Sequence, residues 1–354
     1  MMLTTQQAFF VDLLSPDRAH PGHGLRVNAF GSSYNDVQTL VHGSLEDRAQ
    51  LGKRQLEMDL LSLDVIGDDR VPWLHPWTGT EVFAAAYGCE VHRPENEMPF
   101  ALPHVATAAE ADRLEEPSIT QGPLGEVFAL ADRLVELCGS GYPVRICDVQ
   151  SPLDIAALIW EKSAFYMALY EDPAAVHRIL RKITNTLLVF VQAFADRYSD
   201  VCLVHWPDMW MPSEWGICVS EDEIGSISAE AFREFGLPYL RELALAFGGI
   251  SLHSCAAGQH QWDNLETLPG IRYLNFSHPA VDLQASIERF SGRAVLVPVV
   301  FPGLEYGLDF VDDCLALAHP DTRFFFRTDV EGLDEAAEMA GQIRRRCGRA
   351  PAGA

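Results

Sequence analysis

A histidine and a cysteine, His253 and Cys255, stand two positions apart at the end of a stretch of small and apolar residues that spans 248–255. This composition predicts a buried strand, and residues i and i+2 of a strand point to the same face. Imidazole nitrogen and thiolate sulfur are ligands of soft and borderline metals. We therefore expect both side chains to project from one strand end as metal ligands, with a buried histidine beside an ordinary core thiol as the alternative.

The segment 205–215 combines polar and aromatic side chains directly after another predicted strand. Its tryptophans are Trp206, Trp210 and Trp215. We expect them to line a substrate pocket, since long strand-to-helix loops commonly bind ligands. His205 and Asp208 are the polar members of the segment that could orient a substrate, and we predict that they act catalytically. Packing beneath the loop, or a contact between subunits, is the alternative.

Polar residues also follow other predicted strands. His278 ends one of them, and we expect it to act catalytically from the same pocket, with an ordinary loop histidine as the alternative. Gln150 at a strand end, and His75 in a loop rich in proline and tryptophan, are predicted substrate contacts. Glu221 and Asp222 form a carboxylate pair that suits proton transfer, and a solvated turn is the alternative for them.

The composition sets limits on size, partners and location. The chain has 354 residues, 48% of them hydrophobic, which is enough for two ordinary domains or for one large α/β barrel. A formal net charge of -24 repels polyanions, so neither nucleic acid nor an anionic membrane surface is an expected partner. Apolar runs stay below the roughly 18 residues of a membrane span, and no signal peptide is evident. The eight scattered cysteines indicate a reducing cytoplasm.

Apolar runs alternate with amphipathic segments from about residue 125 onwards, which predicts parallel strands covered by helices. The predicted strands are 144–149, 201–205, 250–253, 272–276, 294–300 and 323–327. The predicted helices include 46–63, 81–87, 125–138, 172–198, 229–247, 259–268, 282–290, 309–318 and 333–347. A single α/β unit, a (β/α)8 TIM-type barrel, fits this pattern if the first 140 residues supply the two missing strands.

The barrel prediction divides the chain into an N-terminal extension and a catalytic unit. Residues up to about 36 are rich in glycine, proline, histidine and asparagine and are expected to form an irregular arm. We predict that residues 1–70 supply this arm and a helix packing on the barrel, and that 71–347 form the barrel itself. In such barrels the loops at the carboxyl ends of the strands build the active site, and His205, His253 and His278 fall at such ends.

Several segments together resemble the uroporphyrinogen decarboxylase superfamily. The stretch DVQSPLDIA at 148–156 is similar to the family's strand-to-helix signature, and DP at 172–173 resembles the start of its next helix. FGG at 247–249, leading into HSC at 253–255, is similar to the family's His-x-Cys strand. The resemblance covers roughly residues 70 to 345 and implies a TIM-type barrel of one domain.

The superfamily contains two chemistries, and their motifs differ in this chain. The arginine-rich motif and the acid of the metal-free porphyrinogen decarboxylases are absent, since the corresponding region reads WTGT at 77–80. The other branch, zinc-dependent methyltransferases that exchange methyl groups with a corrinoid protein, resembles this chain in His253 and Cys255. Its third ligand is a cysteine after the last strand, where this chain reads FRTDVE at 326–331. This stretch holds no cysteine, and we expect Asp329 to take its place, since zinc also accepts carboxylate oxygen. The predicted site is therefore Zn²⁺ held by His253, Cys255 and Asp329, with a helix cap or loop role as the alternative for Asp329.

These observations favour zinc-assisted methyl or alkyl transfer between a small-molecule substrate and a thiol or corrinoid at the carboxyl ends of the strands. Zinc suits this chemistry because it holds a bound thiol as the thiolate at neutral pH. A metal-free decarboxylase or lyase of the uroporphyrinogen decarboxylase type is the first alternative. An inactive member that binds a corrinoid or another small molecule is the second. A corrinoid protein is the partner that methyl transfer predicts, and a homodimer is the expected assembly.

Overall fold

The computed structural model of the protein describes residues 3–29, 36–95, 97–300 and 307–349. Its strands are β1 Gly24–Ala29, β2 Glu90–His92, β3 Phe100–Leu102, β4 Val144–Arg145, β5 Val201–Cys202, β6 Ile217–Ser220, β7 Ile250–Ser254, β8 Ile271–His278, β9 Val295–Val300 and β10 Arg323–Val330. Its α-helices are α1 Thr5–Leu13, α2 Val37–His42, α3 Leu45–Val65, α4 Val82–Ala86, α5 Ala108–Arg113, α6 Gly122–Cys138, α7 Pro152–Ile159, α8 Lys162–Glu171, α9 Pro173–Arg197, α10 Ala229–Phe235, α11 Leu237–Phe247, α12 Trp262–Leu265, α13 Leu283–Phe290, α14 Leu308–Leu317 and α15 Leu333–Arg346.

A parallel sheet of six strands forms the centre of this mixed α/β fold. The strands are ordered β1-β10-β9-β8-β7-β6, and every neighbouring pair is parallel. A second parallel pair joins β4 to β5, and β2 with β3 forms an antiparallel hairpin. The α/β class is therefore confirmed, and the strands predicted from residue 250 onwards are present with ends shifted by at most three residues. Within the described ranges, every helix is too short or too polar to span a lipid bilayer.

Alternate residues of the central strands pack on opposite faces of the sheet. Phe324 and Phe326 belong to the large apolar cluster that includes the helices, whereas Phe325 belongs to a smaller cluster with Tyr273 and Val297. This alternation follows from the two-residue period of a strand. We call the face that carries Phe325, Tyr273 and Val297 the site face, because polar residues replace apolar ones on it towards the carboxyl ends of the strands.

One row of residues crosses the site face at the level where the polar residues begin. Gln150 bridges to Ser220, and Ser220 pairs in register with His253 on β7. His253 pairs with Asn275 on β8, and Asn275 pairs with Val297 on β9. Because parallel neighbours in register point to the same face, this row places their side chains next to one another. The parallel pairing therefore brings together polar residues from distant parts of the sequence.

The expectation of an irregular N-terminal arm is wrong for much of this segment. Strand β1 is an integral part of the central sheet, paired with β10 from Gly24 opposite Phe325 to Ala29 opposite Val330. Helix α1 precedes it, and the Arg323 guanidinium fixes the turn after α1. That guanidinium donates to the carbonyls of Asp12, Leu13, Ser15, Pro16 and Arg18. The glycines and histidines around β1 gave no strand signal in the sequence, and pairing with β10 stabilises this short strand. The domain boundary at residue 70 stays a prediction.

Two other predicted elements differ from the structure for local reasons. The helix predicted at 229–247 is divided at Gly236 into α10 and α11, and Pro238 lies in the first turn of α11, where a missing N–H is tolerated. The helix predicted at 259–268 is reduced to a 3-10 turn and α12. Strands β4 and β5 are also shorter than predicted, because regular pairing ends early on both.

Candidate active site

A cavity of about 500 Å³ lies at the carboxyl-end side of the site face. Six residues singled out from the sequence line it: His75, Gln150, His205, Trp206, Asp208 and His253. The same lining contains polar residues that the sequence did not bring forward as site residues: Arg145, Asp148, Ser220 and Arg327. Asp222, from the predicted carboxylate pair, completes this polar wall. The cavity therefore joins the ends of at least five strands.

His253 and Cys255 lie side by side, as their spacing predicted. The His253 Nε2 atom is 3.5 Å from the Cys255 Sγ atom, and the His253 Nδ1 atom is 2.6 Å from Asn275 Oδ1. Asn275 Nδ2 donates to the carbonyl of Val297 at 2.6 Å, which fixes the orientation of the amide. Since Oδ1 can only accept, Nδ1 carries the imidazole proton and Nε2 presents a lone pair to the thiol. Burial lowers the pKa of His253 and raises that of Cys255, so both groups are neutral at rest.

Asp222 fixes the turn that carries Cys255. Its Oδ1 atom accepts from the Cys255 backbone N–H at 2.7 Å and from the Ser254 hydroxyl at 3.3 Å. The backbone N–H of Asp222 in turn donates to the Asp154 carboxylate on α7. The neighbouring Glu221 side chain is only 1% exposed. The alternative of a solvated turn is therefore wrong for Glu221, whereas Asp222 is half-buried at the cavity wall.

The third ligand proposed from the resemblance, Asp329, is engaged elsewhere. Its carboxylate pairs with the Arg327 guanidinium and accepts from Asn28 Nδ2 at 3.1 Å. Within the described ranges, no three His, Cys, Asp or Glu side chains are grouped so that they could hold a metal ion. Zinc in catalytic sites has three protein ligands. Of the three predicted ligands, His253 and Cys255 are therefore in contact with each other, and Asp329 is bound to other side chains. The complete zinc site stays a prediction.

A second histidine of the cavity, His205, lies beside two oxygen-bearing side chains. Its Nδ1 atom is 3.2 Å from the Cys218 carbonyl and its Nε2 atom 3.0 Å from the Ser220 hydroxyl. The Oδ1 atom of Asp148 is 3.9 Å from the same Nε2 atom. Burial holds the pKa of His205 well below its ordinary value. Burial, together with the charges of Glu81 and Asp222, raises the pKa of Asp148 to about 7.

Three guanidinium groups surround Asp208 at the floor of the cavity. Its carboxylate lies 2.9 Å from Arg145 Nη1, 3.2 Å from Arg327 Nε and 3.8 Å from Arg26 Nε. Burial alone would raise the pKa of Asp208, but the three arginine charges hold it well below its usual range. Trp206 lies under the Arg327 guanidinium at 4.9 Å. Asp208 is therefore a permanently ionised anchor, which suits positioning better than proton transfer.

Besides Cys255 and Asp329, three further residues predicted from the sequence are not among those that line this cavity. His278 is buried and hydrogen-bonds with its Nδ1 atom to the Val281 carbonyl at 2.6 Å. Trp210 is 3% exposed and packs in the smaller apolar cluster, which agrees with the alternative role of packing beneath the loop. Trp215 packs against the same cluster with Arg272 above its ring. Their predicted roles in catalysis and substrate binding stay predictions, and the proposals below make no use of them.

Some of the cavity residues that were overlooked do carry a sequence signal. Arg145 and Arg327 are charged residues that directly follow apolar residues within buried strands, and a buried charge of this kind needs a partner or a function. Asp148 ends the strand segment of the family-like signature. Asn275 and Ser220 gave no such signal, because their importance depends on which strands become neighbours.

Comparison with known proteins complements this geometry. No curated protein sequence matches the chain. A solved structure of a methyltransferase from Methanosarcina mazei is similar with a TM-score of 0.70 and 14% identity, covering 97% of this chain and 99% of that one. A protein described as a vitamin-B12 independent methionine synthase from Listeria monocytogenes gives a TM-score of 0.48 and 11% identity, covering 92% of this chain and 96% of that one. The sequence model of the uroporphyrinogen decarboxylase (URO-D) family matches residues 78–297, more than half of the chain. The chain therefore belongs to the uroporphyrinogen decarboxylase family.

Proposed function

We propose that the protein is a transferase that moves a methyl or other small alkyl group between a small-molecule substrate and a thiol in the cavity. The observation that carries this proposal is the contact of His253 Nε2 with Cys255 Sγ at 3.5 Å. A fixed imidazole lone pair beside a thiol is the arrangement that a soft or borderline metal requires of two of its ligands. The methyltransferase with a similar fold adds support to this branch of the family.

The residues around the pair have separate tasks in this proposal. Asn275 keeps Nε2 of His253 free of a proton, as the outer partner of a metal-binding histidine does. Asp222 holds the backbone of Cys255, and the Trp206 ring lies edge-on to the His253 imidazole at 5.9 Å, where it restricts access of water. Zinc, when bound by His253 and Cys255, supplies a positive charge that keeps the substrate thiol ionised. Asp329 as third ligand requires its carboxylate to leave Arg327 and Asn28.

Titration with Co²⁺ tests whether the pair binds metal. Cobalt bound by a thiolate gives an intense charge-transfer absorption, so the wild-type protein is expected to develop this band up to one equivalent. Cys255→Ser should abolish the band, and Asn275→Ala should weaken binding about 10- to 100-fold because the imidazole loses its orientation. Cys347→Ser, which changes a thiol on the last helix, is the control and should leave the titration unchanged. A band that persists in Cys255→Ser contradicts the proposed site.

We also infer that the strands close into the predicted (β/α)8 barrel. The Asp69 backbone N–H donates to the carbonyl of Leu25 on β1, and the Arg145 N–H on β4 donates to the carbonyl of Leu74. The segment between residues 69 and 74 thereby links β1 to β4. On its other side β4 pairs with β5, and the carbonyl of Leu203, just after β5, accepts from the Cys218 N–H on β6. These bonds support a continuous ring of strands, in agreement with the fold similarity over nearly the whole chain.

A metal-free lyase is the second candidate, and Asp148 is the observation that favours it. Its carboxyl group lines the cavity, lies 3.9 Å from His205 Nε2 and has a pKa raised to about 7 by burial, which suits a general acid or base near neutral pH. Incubation with uroporphyrinogen, followed by chromatography of the porphyrin products, tests this function. Turnover that is lost in Asp148→Asn and insensitive to chelators would favour the lyase over the transferase.

A corrinoid is the methyl carrier that we propose, delivered by a separate corrinoid protein in the cytoplasm. The absorbance of methylcobalamin reports both binding and loss of its methyl group, so one titration tests both. Demethylation in the presence of a small thiol supports transfer. Stoichiometric binding without demethylation across several thiols would instead support the binding-only alternative.

We also propose that the protein assembles as a homodimer. Native mass measurement of the purified protein tests this assembly.

A further inference from the structure

A second cavity, of about 230 Å³, lies where β8, β9 and β10 begin, at the amino ends of these strands. We call it the amino-end pocket. Its described lining contains one carboxylate, Asp321, and four arginines: Arg18, Arg272, Arg293 and Arg323. This excess of positive charge is local, since the chain as a whole carries a formal net charge of -24. We propose that the amino-end pocket binds a phosphate group, either free phosphate or that of a small phosphate ester.

The amino-end pocket is separate from the candidate active site. The two cavities share none of their described lining residues. Arg323 and Arg327 lie on the same face of β10, and Phe325 between them is fully buried in the smaller apolar cluster. Four residues of a strand span roughly 13 Å. A ligand of the amino-end pocket therefore lies away from the groups used in the proposed alkyl transfer, and this inference goes beyond that function.

Arg323 shapes one wall of the pocket. Its Nη1 and Nη2 atoms donate to the carbonyls of five residues between Asp12 and Arg18. These bonds fix the turn that follows α1, and Leu14, Pro16 and Arg18 of this segment line the pocket. A wall that is held in place before binding lowers the entropy cost of taking up a ligand.

Arg272 is the arginine whose charge is least compensated. Its Nε atom donates to the Trp215 carbonyl at 3.1 Å and its Nη2 atom to the Gly248 carbonyl at 3.3 Å, which orients the guanidinium and leaves Nη1 available. In the described part of the chain, no carboxylate forms an ion pair with it. Burial lowers the pKa of Arg272, because a half-buried guanidinium without a counter-charge is costly. An anion bound at Nη1 would supply that counter-charge.

Arg293 offers further donors at the rim of the same pocket. Its Nη1 atom donates to Glu266 Oε1 at 2.8 Å, and among the described residues its Nε and Nη2 atoms have no partner. Glu266 also pairs with Arg289, so one carboxylate is shared by two guanidinium groups. The ion pair therefore leaves Arg293 with donors and charge for a ligand.

The chemistry of the lining favours a phosphate group on a small molecule. Guanidinium groups bind phosphate oxygens through paired, charge-assisted hydrogen bonds, and a phosphate monoester carries a charge of about −1.5 to −2 at neutral pH. Pro16, Ala294 and Pro320 add an apolar surface on which an organic part could rest. The cavity is smaller than the about 300–1,000 Å³ of pockets for drug-sized ligands, which restricts the ligand to a small one.

Isothermal titration calorimetry with phenyl phosphate tests the proposal. The wild-type protein should bind one equivalent, and Arg272→Gln should weaken binding about 10- to 100-fold because a charged hydrogen bond is lost. Arg293→Gln should weaken it several-fold. Asp321→Asn should have the opposite effect and strengthen binding, since it removes the carboxylate that opposes the anion. Arg241→Gln, which changes an exposed arginine on α11, is the control and should leave the affinity unchanged.

Three further ligands define what the pocket recognises. Benzoate, with a single charge, should bind more weakly than phenyl phosphate, and equal or tighter binding of benzoate would overturn the phosphate assignment. Inorganic phosphate should compete with phenyl phosphate. A higher affinity for phenyl phosphate identifies an ester as the ligand, whereas equal affinities identify free phosphate. Phenol should not bind.

The remaining outcomes decide whether the site is the amino-end pocket. Absence of binding to the wild-type protein, or equal affinities of wild-type, Arg272→Gln and Arg293→Gln, would overturn the proposal. An equal loss in Arg241→Gln would do so too, since it would indicate a general charge effect. Circular dichroism should establish that each variant is folded. The Arg293 side chain is 63% exposed, so its variant provides the test if Arg272→Gln does not fold. The cobalt titration reports on a different cavity, and its outcome leaves this proposal unaffected.

Discussion

Replacing Asp208 by asparagine is expected to lower the free energy of unfolding by about 3–5 kcal/mol, because three buried guanidinium groups lose their shared counter-charge. Asp208 is 9% exposed and lies within 3.8 Å of Arg26, Arg145 and Arg327. Asparagine preserves the shape of the side chain and still accepts one hydrogen bond. The loss therefore reports the missing negative charge rather than a cavity.

Chemical denaturation of the wild-type and variant proteins in urea measures this effect. Asp312→Asn is the matched control, since Asp312 forms an ion pair with Arg346 in which both side chains are substantially exposed. Exposed pairs contribute between about 0 and 1 kcal/mol, so this control should change little. Equal losses in the two variants would show that the arginine cluster does not depend on Asp208. The tryptophan fluorescence of Asp208→Asn should also differ from that of the wild-type protein, because Trp73 and Trp206 stack on these arginines.

Replacing Glu221 by glutamine is expected to make the protein more stable at pH 8 but not at pH 4. Burial of the Glu221 carboxyl, and the Asp154 carboxylate next to it, raise the pKa of Glu221 well above its ordinary value. The folded protein then keeps this proton at a pH where the unfolded chain has released it. Wild-type stability accordingly falls as pH rises from the ordinary pKa, about 4.3, towards the raised one.

The size of the Glu221 effect follows from the proton balance. Each pH unit between the two pKa values costs the wild-type protein about 1.4 kcal/mol, whereas glutamine has no proton to lose. We therefore expect the stability of Glu221→Gln relative to the wild-type protein to increase from pH 4 to pH 8, by about 1.4 kcal/mol for each pH unit that separates the raised pKa from the ordinary one. Asp154, whose pKa burial raises to about 7, contributes a decline of stability with rising pH of the same sign in both proteins. Unfolding curves at pH 4, 6 and 8 measure the difference.

The exposed residue Glu115 provides the control for this pH series. Glu115→Gln removes the same charge from the surface and should shift stability by a small amount that is similar at all three pH values. If Glu221→Gln follows the wild-type pH profile, the Glu221 carboxyl is ionised in the folded protein and its buried environment must be more polar than described. Stability that rises with pH in the wild-type protein would lead to the same conclusion.

Local sequence patterns predicted the strands from residue 250 onwards, because each of them is an apolar run next to an amphipathic helix, whereas the short strand β6 at 217–220 was not predicted. Strand β1 was not predicted, because six residues flanked by glycine and histidine are stable only when paired with β10. Helix 229–247 was predicted as one piece because the apolar spacing continues through Gly236, where the backbone ends one helix and starts the next. Intrinsic propensity cannot anticipate such tertiary effects.

The contact between His253 and Cys255 was determined by the sequence itself, since the two-residue period of a strand places both on one face wherever that strand lies. What surrounds them was decided only by the tertiary structure. The order of strands places Asn275 next to His253 and fixes its lone pair, although 21 residues separate the two in the chain. The pairing of β1 with β10 brings Asn28 to Asp329, whose carboxylate also pairs with Arg327 two positions earlier on its own strand. Spacing determines which side chains of one strand lie together, whereas the completeness of a ligand set and the orientation of its histidine depend on which strands meet.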